Sequence, residues 1–143
     1  MASVPAAERG LQCVVVTPER AVLDEPADFV VLPMYDGELG VLPGRAPLIG
    51  RLGYGELRLR RGDDTRRYFV DGGFAQVRAN IVTVLTPRAL RAEDIDAHAA
   101  ARTLEEARTP TATPQEQEAH LRTQERARAE LRVARRARGD TPA

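Results

Sequence analysis

The sequence predicts an α+β chain in two parts: an N-terminal antiparallel β-sandwich or flattened barrel, then a C-terminal antiparallel two-helix hairpin. Three observations carry this. Between Leu11 and about Pro87, short apolar or alternating runs recur at roughly 8–12-residue spacing, bounded by Gly, Pro, Asn or Asp. From Arg88 onward glycine is absent until Gly139, and Ala, Glu and Arg take over. Strand-type and helix-type stretches do not alternate, which disfavours a parallel nucleotide-binding sheet. The sandwich is expected at 1–88 and the hairpin at 89–143, with a loop at 109–114.

Leu11–Val16 is a short apolar run and reads as the first strand. Ala27–Leu32 is a second, ended by Pro33. Glu56–Arg60 alternates with period two, so one face is buried and one wet. Tyr68–Val70 and Phe74–Val77 follow, separated by Asp71-Gly72-Gly73, and Ile81–Leu85 closes the series. Asp24-Glu25-Pro26, Gly53-Tyr54-Gly55, Gly62-Asp63-Asp64 and Asn80 read as turns.

One stretch, Asp36–Leu48, holds three of the eleven glycines and two of the ten prolines. Gly37, Gly40 and Gly44 permit sharp bends or close approach, and Pro43 and Pro47 each remove a backbone donor. It reads as a short strand between two bends, tied to a core through Leu39, Val41, Leu42 and Leu48. From the residues alone two readings stay open: a structural turn, or a recognition edge presenting Glu38 and Arg45 to a partner.

In the second part, Glu93, Asp94 and Asp96 load a helix start, where carboxylates suit the positive end of the dipole. The first helix is expected from about Asp94 to Arg108, with a seam of Ala97, Ala101, Leu104 and Ala107. Thr109–Pro114 cannot continue it. The second helix is expected from about Gln115 to Arg138, with Ala127, Leu131 and Ala134 on one face. Alanine seams stabilise little: about 0.8 kcal/mol per buried methyl, against 1.5–3 for a leucine. Weak docking of the hairpin is therefore expected.

The chain is neutral overall, and all 21 basic residues are arginine. Bulk charge gives no argument for nucleic acid, and no mechanism needing a lysine is available. Six arginines lie between 126 and 138, opposed by Glu130 alone. That run reads as a solvated face or as a surface for an acidic partner. The single Cys13 sits in an apolar run and is expected to be a buried thiol. Met1–Gly10 carries Pro5, Glu8 and Arg9 and no long apolar run, which argues against a secretory signal. No stretch approaches about 18 apolar residues, so no membrane span is expected. A soluble intracellular chain, able to attach to a membrane complex, is the expectation.

Catalytic patterns are missing. His98 and His120 lie on different expected helices, and no zinc-type cluster accompanies them. Ser3 is the only serine. Gly53-Tyr54-Gly55 precedes a strand pattern and is no dinucleotide fingerprint. Aromatics are too sparse to stack nucleic-acid bases. No metal, no cofactor and no enzyme activity is expected.

Gly37-Glu-Leu-Gly-Val-Leu-Pro-Gly-Arg-Ala-Pro-Leu48 resembles the signature of the epsilon subunit of F-type, proton-translocating ATP synthases. Phe69–Val77 with Asn80–Leu85, the onset Val15–Pro18 with Val22–Asp24, and Arg91–Asp96 agree with it. The likeness is good over about 11–108 and holds only by type for the second helix. It implies a non-catalytic central-stalk subunit at the cytoplasmic face of the bacterial plasma membrane, peripheral to it. Such a subunit links gamma to the c-ring, couples proton translocation to ATP synthesis, and in many members inhibits ATP hydrolysis through its helices. The implied partners are gamma, the c-ring and the alpha and beta subunits of the catalytic head, with no nucleic acid and no direct membrane insertion.

The likeness implies that Glu38 faces the c-ring loops and that Gly40, Arg45, Pro43, Pro47 and Leu48 belong to the gamma and c-ring side. Arg45 stands where many members have a histidine, which removes any pH dependence from that group. Arg126, Arg128, Arg132, Arg135 and Arg136 are implied to approach acidic segments of the catalytic head. Some members bind ATP through Ile-Asp-x-x-Arg-Ala. Here Ile95, Asp96 and Ala100 match, but Ala99 replaces the arginine, so weak or no ATP binding is expected. The alternative is a free-standing β-domain adaptor whose basic helix binds nucleic acid or another acidic partner.

Overall fold

In the computed structural model, residues 10–110 and 113–139 are described. Eight strands come first: β1 Leu11–Val16, β2 Ala21–Ala27, β3 Phe29–Met34, β4 Gly37–Val41, β5 Leu48–Arg61, β6 Asp64–Arg78, β7 Ile81–Leu85 and β8 Ala89–Arg91. A 3-10 turn at Ala92–Asp94 leads to helices α1, Ala97–Glu106, and α2, Pro114–Ala137. The sheet order is β2-β1-β7-β6-β5-β3-β4, with β8 added to β6. Its ends do not meet, so the sheet is open. The antiparallel expectation holds for every pair except β1 with β7, which run parallel.

The two long strands make the sandwich. On β5, Leu52 points into the core on one side of the glycines, and Leu57 and Leu59 do so on the other. The inward parity therefore switches between them. On β6, Tyr68 and Val70 point inward before Gly72-Gly73, and Ala75 and Val77 after. The two strands stay in one register throughout, from Leu48↔Val77 to Arg61↔Asp64. A continuous ribbon thus turns a corner, and both of its halves line one core with β1, β3, β4 and β7. Gly73 has φ +104°, and a Cβ there would lie 2.0 Å from the Leu85 carbonyl oxygen, so only glycine fits.

Several boundaries differ from the sequence reading. Gly53-Tyr54-Gly55 and Asp71-Gly72-Gly73 are bends inside β5 and β6, not breaks between strands. Asp24-Glu25-Pro26 lies within β2, an edge strand, where a missing donor costs nothing. The run at Ala27–Leu32 spans two strands. Asp28 separates them and accepts the Gly62 N–H on its Oδ2 at 2.7 Å. Pro33 lies inside β3, beside a register irregularity against β5. β8 adds three residues to the sheet at Ala89–Arg91.

The helices begin at side-chain caps. Asp96 accepts from the Ala99 N–H at 3.0 Å, so α1 starts three residues later than expected. Thr113 caps α2 through the Glu116 N–H at 3.2 Å, with Pro114 in the first turn, where its lost donor is harmless. Residues 111 and 112 of the expected loop lie outside the described residues. Of the expected α1 seam, Ala107 is buried, Ala97 and Leu104 are half-buried and Ala101 is exposed, while Ala100, outside that seam, is buried.

Candidate functional site

The bend-rich segment forms as expected: β4 runs between a turn at Tyr35-Asp36 and another at Pro43-Gly44. Gly37 and Gly44 have φ of +137° and +85°. At Gly40 a Cβ would sit 2.9 Å from the Phe29 ring, which would have to shift to admit it. Val41 is buried in the core, and Leu39 and Leu48 are partly buried against it. Leu42, by contrast, points to solvent. From Leu42 to Pro47 the backbone bulges outward with every side chain exposed. The Gly44 N–H donates to Asn80 Oδ1 at 2.8 Å, which ties this loop to the β6–β7 turn.

Glu38 and Arg45 are both exposed but leave β4 at opposite ends. Glu38 sits 3.6 Å from Arg58, on the side where α2 ends. Arg45 rides the loop beside Asn80, and its backbone N–H donates to Leu42 at 3.3 Å. They form two surfaces rather than one.

An exposed apolar face had escaped the sequence reading. Ile49 is 74 % exposed, Phe74 58 % and Leu85 53 %, with Ile81 beside them. Phe74 pairs with both Arg51 and Leu85, and Ile49 pairs with Gln76. These side chains share the outward side of β5, β6 and β7. The signal was present: on Ile81–Leu85 the outward positions 81 and 85 are as apolar as the inward Val82 and Val84, with Thr83 alone polar.

On the other half of the sheet α2 lies across β5 and β6. The apolar contact is small. Phe69 and Ala92 meet Ala129 and Val133, with Tyr54 and Ile95 at the edge. Around it run three ion pairs between α2 and the sandwich. Arg126 Nε meets Asp71 at 2.7 Å, Arg88 meets Glu130 at 2.6 Å, and Arg136 meets Glu56 at 3.5 Å. Arg126 also stacks over Tyr54, 5.1 Å from the ring centre. Burial works against the Arg126 charge, but the Asp71 hydrogen bond and charge outweigh it and hold its pKa above the ordinary value.

Glu56 is 5 % exposed, although it occupies an outward position of the alternating stretch. α2 covers it. Its Oε1 also accepts from Arg58 at 2.9 Å and Arg67 at 2.8 Å, while Oε2 has no partner among the described residues. Arg58 and Arg67 thus neutralise the carboxylate with or without Arg136. Of the other tail arginines, Arg128 bonds Gln124 at 3.3 Å, and Arg132 and Arg135 are exposed.

The segment Ile95–Ala100 is occupied with folding tasks. Ile95 packs at the edge of the α2 contact, Asp96 is spent on the cap, and Ala100 is buried. The Ala99 N–H bond to the carboxylate is the main cause that lowers the Asp96 pKa. Among the described residues no group of three His, Cys, Asp or Glu could hold a metal, and no helix is long and apolar enough to cross a membrane. Cys13 is fully buried, and burial, followed by Glu25 and Asp24, pushes its pKa up to about 12.

Residues 10–92 match the family described as ATP synthase, Delta/Epsilon chain, beta-sandwich domain. The ATP synthase epsilon chain of Rhodopirellula baltica is 58 % identical over 109 residues, covering 76 % of this chain and 85 % of that one. The ATP synthase epsilon chain of Nitratidesulfovibrio vulgaris (strain DP4) is 41 % identical over 115 residues, covering 80 % and 86 %. In structure, a chain of the Euglena gracilis mitochondrial ATP synthase (OSCP/F1/c-ring, rotational state 1) superposes with a TM-score of 0.70 at 25 % identity. That match covers 96 % of this chain and 83 % of that one. A sandwich with this corner, followed by two helices of which the second lies on it, thus comes with close sequence kinship, and the chain belongs to the ATP synthase epsilon family.

Proposed function

We propose that this chain is a non-catalytic rotor subunit of the ATP synthase central stalk. It links gamma to the c-ring and couples proton translocation to ATP synthesis. The observation that carries this reading is the division of the molecule into a firmly packed sandwich with exposed contact surfaces and a lightly held hairpin. Gamma is proposed to cover the face that bears the exposed Ile49, Phe74 and Leu85, since several large exposed apolar side chains on one face suit a protein partner. The loop bearing Pro43, Arg45 and Pro47, with Glu38 beyond β4, is proposed to serve the c-ring and the adjoining edge of gamma. The complex would hold the chain at the cytoplasmic face of the plasma membrane without insertion.

The hairpin is proposed to leave the sheet and inhibit ATP hydrolysis at the catalytic head. Arg126 and Arg136, bound to Asp71 and Glu56 while α2 lies on the sheet, would then be free to join Arg128, Arg132 and Arg135 against acidic segments there. Truncation after Arg91, which spares β8, tests this in the assembled complex. Hydrolysis should rise while gamma still co-purifies. Unchanged hydrolysis would remove the inhibitory role, and loss of gamma would place that contact on the helices instead. ATP is proposed to bind weakly or not at all through Ile95–Ala100, because Ala99 offers no cation. Calorimetric titration giving low-micromolar affinity, abolished by Asp96→Ala, would contradict that.

A further inference from the structure

Two of the ion pairs that hold α2 are crossed in sign. The sandwich offers Asp71 to Arg126 at 2.7 Å and Arg88 to Glu130 at 2.6 Å. Arg126 and Glu130 stand one helical turn apart on α2. Sliding the helix by one turn would therefore bring Glu130 to Asp71, or Arg126 to Arg88, and set like charges together. The two carboxylates are the buried members, with side chains only 11 % and 12 % exposed, so the wrong register would be poorly screened by water.

Asp71 and Arg88 must keep a fixed spacing for such a lock to work, yet they come from different elements: one from β6, the other from the link between β7 and β8. A buried hydroxyl joins them. Thr86 is 4 % exposed, and its backbone N–H donates to the Val16 carbonyl at 3.1 Å, which anchors it to β1. Its Oγ1 accepts the Asp71 N–H at 3.2 Å and donates to the Arg88 carbonyl at 3.1 Å. The Asp71 N–H also reaches that carbonyl, at 3.1 Å. Gly73 keeps the approach open, because a Cβ there would lie 3.0 Å from the Thr86 Cα. We propose that Thr86 is a positioning residue for α2: by holding Asp71 and Arg88 together, it makes the two crossed pairs one register lock that engages and releases as a unit. This role belongs to the chain by itself and does not depend on the rotor reading.

Hydrogen exchange of α2 in the full chain, read as a double-mutant cycle, tests it. Arg126→Gln and Glu130→Gln should each lower the protection of α2 about threefold, as part-exposed pairs do. The double variant should also lose about threefold, where independent contacts would lose about ninefold. With Thr86→Val in addition, the two losses should multiply. Valine keeps the shape of threonine, and the Asp71 N–H and Arg88 carbonyl stay bonded to each other, so neither is left buried without a partner. Thr86→Ser should restore the coupling. Thr17→Val, which removes another buried hydroxyl, one that donates to the Arg20 carbonyl at 3.1 Å, should leave the coupling intact. Losses that multiply while Thr86 is present, a failed serine rescue, or an equal effect of Thr17→Val would each overturn the proposal. So would coupling that persists with Thr86→Val, because it would then reside in the neighbouring positions of Arg126 and Glu130 on the helix.

Discussion

The sandwich and the hairpin are held by different physics. The sandwich core is dry and aliphatic: Leu11, Val15, Val30, Leu32, Leu57, Val70, Val77, Val82 and Val84 are all almost fully buried. Each such side chain contributes roughly 1.5–3 kcal/mol. Against the sheet α2 offers Ala129 and Val133, and its other attachments are ion pairs with partly exposed arginines. Pairs of that kind contribute about 0–1 kcal/mol each, and salt weakens them. One part is built to stay, and the other can be displaced at modest cost. Glu56 illustrates how: Arg58 and Arg67 remain beside it, so release of Arg136 does not strand a buried charge.

The contrast is most sharply tested by core truncation. Leu57→Ala should cost about 2–5 kcal/mol and lower the urea midpoint of the sandwich. Val133→Ala should cost only about 1–2 kcal/mol, at about 0.8 per buried methyl. It should speed hydrogen exchange in α2 and leave the sandwich midpoint in place. If Val133→Ala lowers that midpoint as far as Leu57→Ala does, the two parts are one cooperative unit and the distinction fails.

Next in size is the Arg126–Asp71 pair. Arg126 is about a third exposed, so exchanging it with Asp71 tests geometry more than bulk charge. Arg126→Asp alone should release α2, with a coupling of about 1 kcal/mol. Adding Asp71→Arg should restore the protection of α2 in hydrogen exchange. Failure of the double variant to recover would assign the docking to the apolar contact alone.

The last test lies in the sandwich. With its pKa raised to about 12, Cys13 should resist thiol reagents at pH 8 until the protein unfolds. The folded state keeps the proton where the unfolded chain loses it. The stability this contributes is present below about pH 9 and is lost as pH rises toward 12. A thiol that reacts readily in the folded chain would show that the core opens as easily as the hairpin.

Much of the sandwich was legible because its signals are local. Period-two alternation at Glu56–Arg60, the paired turn glycines and prolines at 36–48, and the change to Ala, Glu and Arg after Arg88 all act between near neighbours. Gly53, Gly55, Gly72 and Gly73 were misread as strand ends because glycine marks a turn and a bent strand alike. Only the partner strand tells them apart: β5 and β6 keep their register straight through the corner. The tail arginines were visible as a basic run, but not which of them the sandwich engages.

Near-neighbour chemistry therefore specified most strands, the buried thiol and the two-part layout. The inward switch at the corner, the outward apolar face and the grip on α2 came from the folded chain. The ion pairs that make this grip join residues 42, 55 and 80 positions apart. No periodicity encodes a contact at such separation. It arises when the bent ribbon brings Glu56 and Asp71 to one surface and α2 covers them.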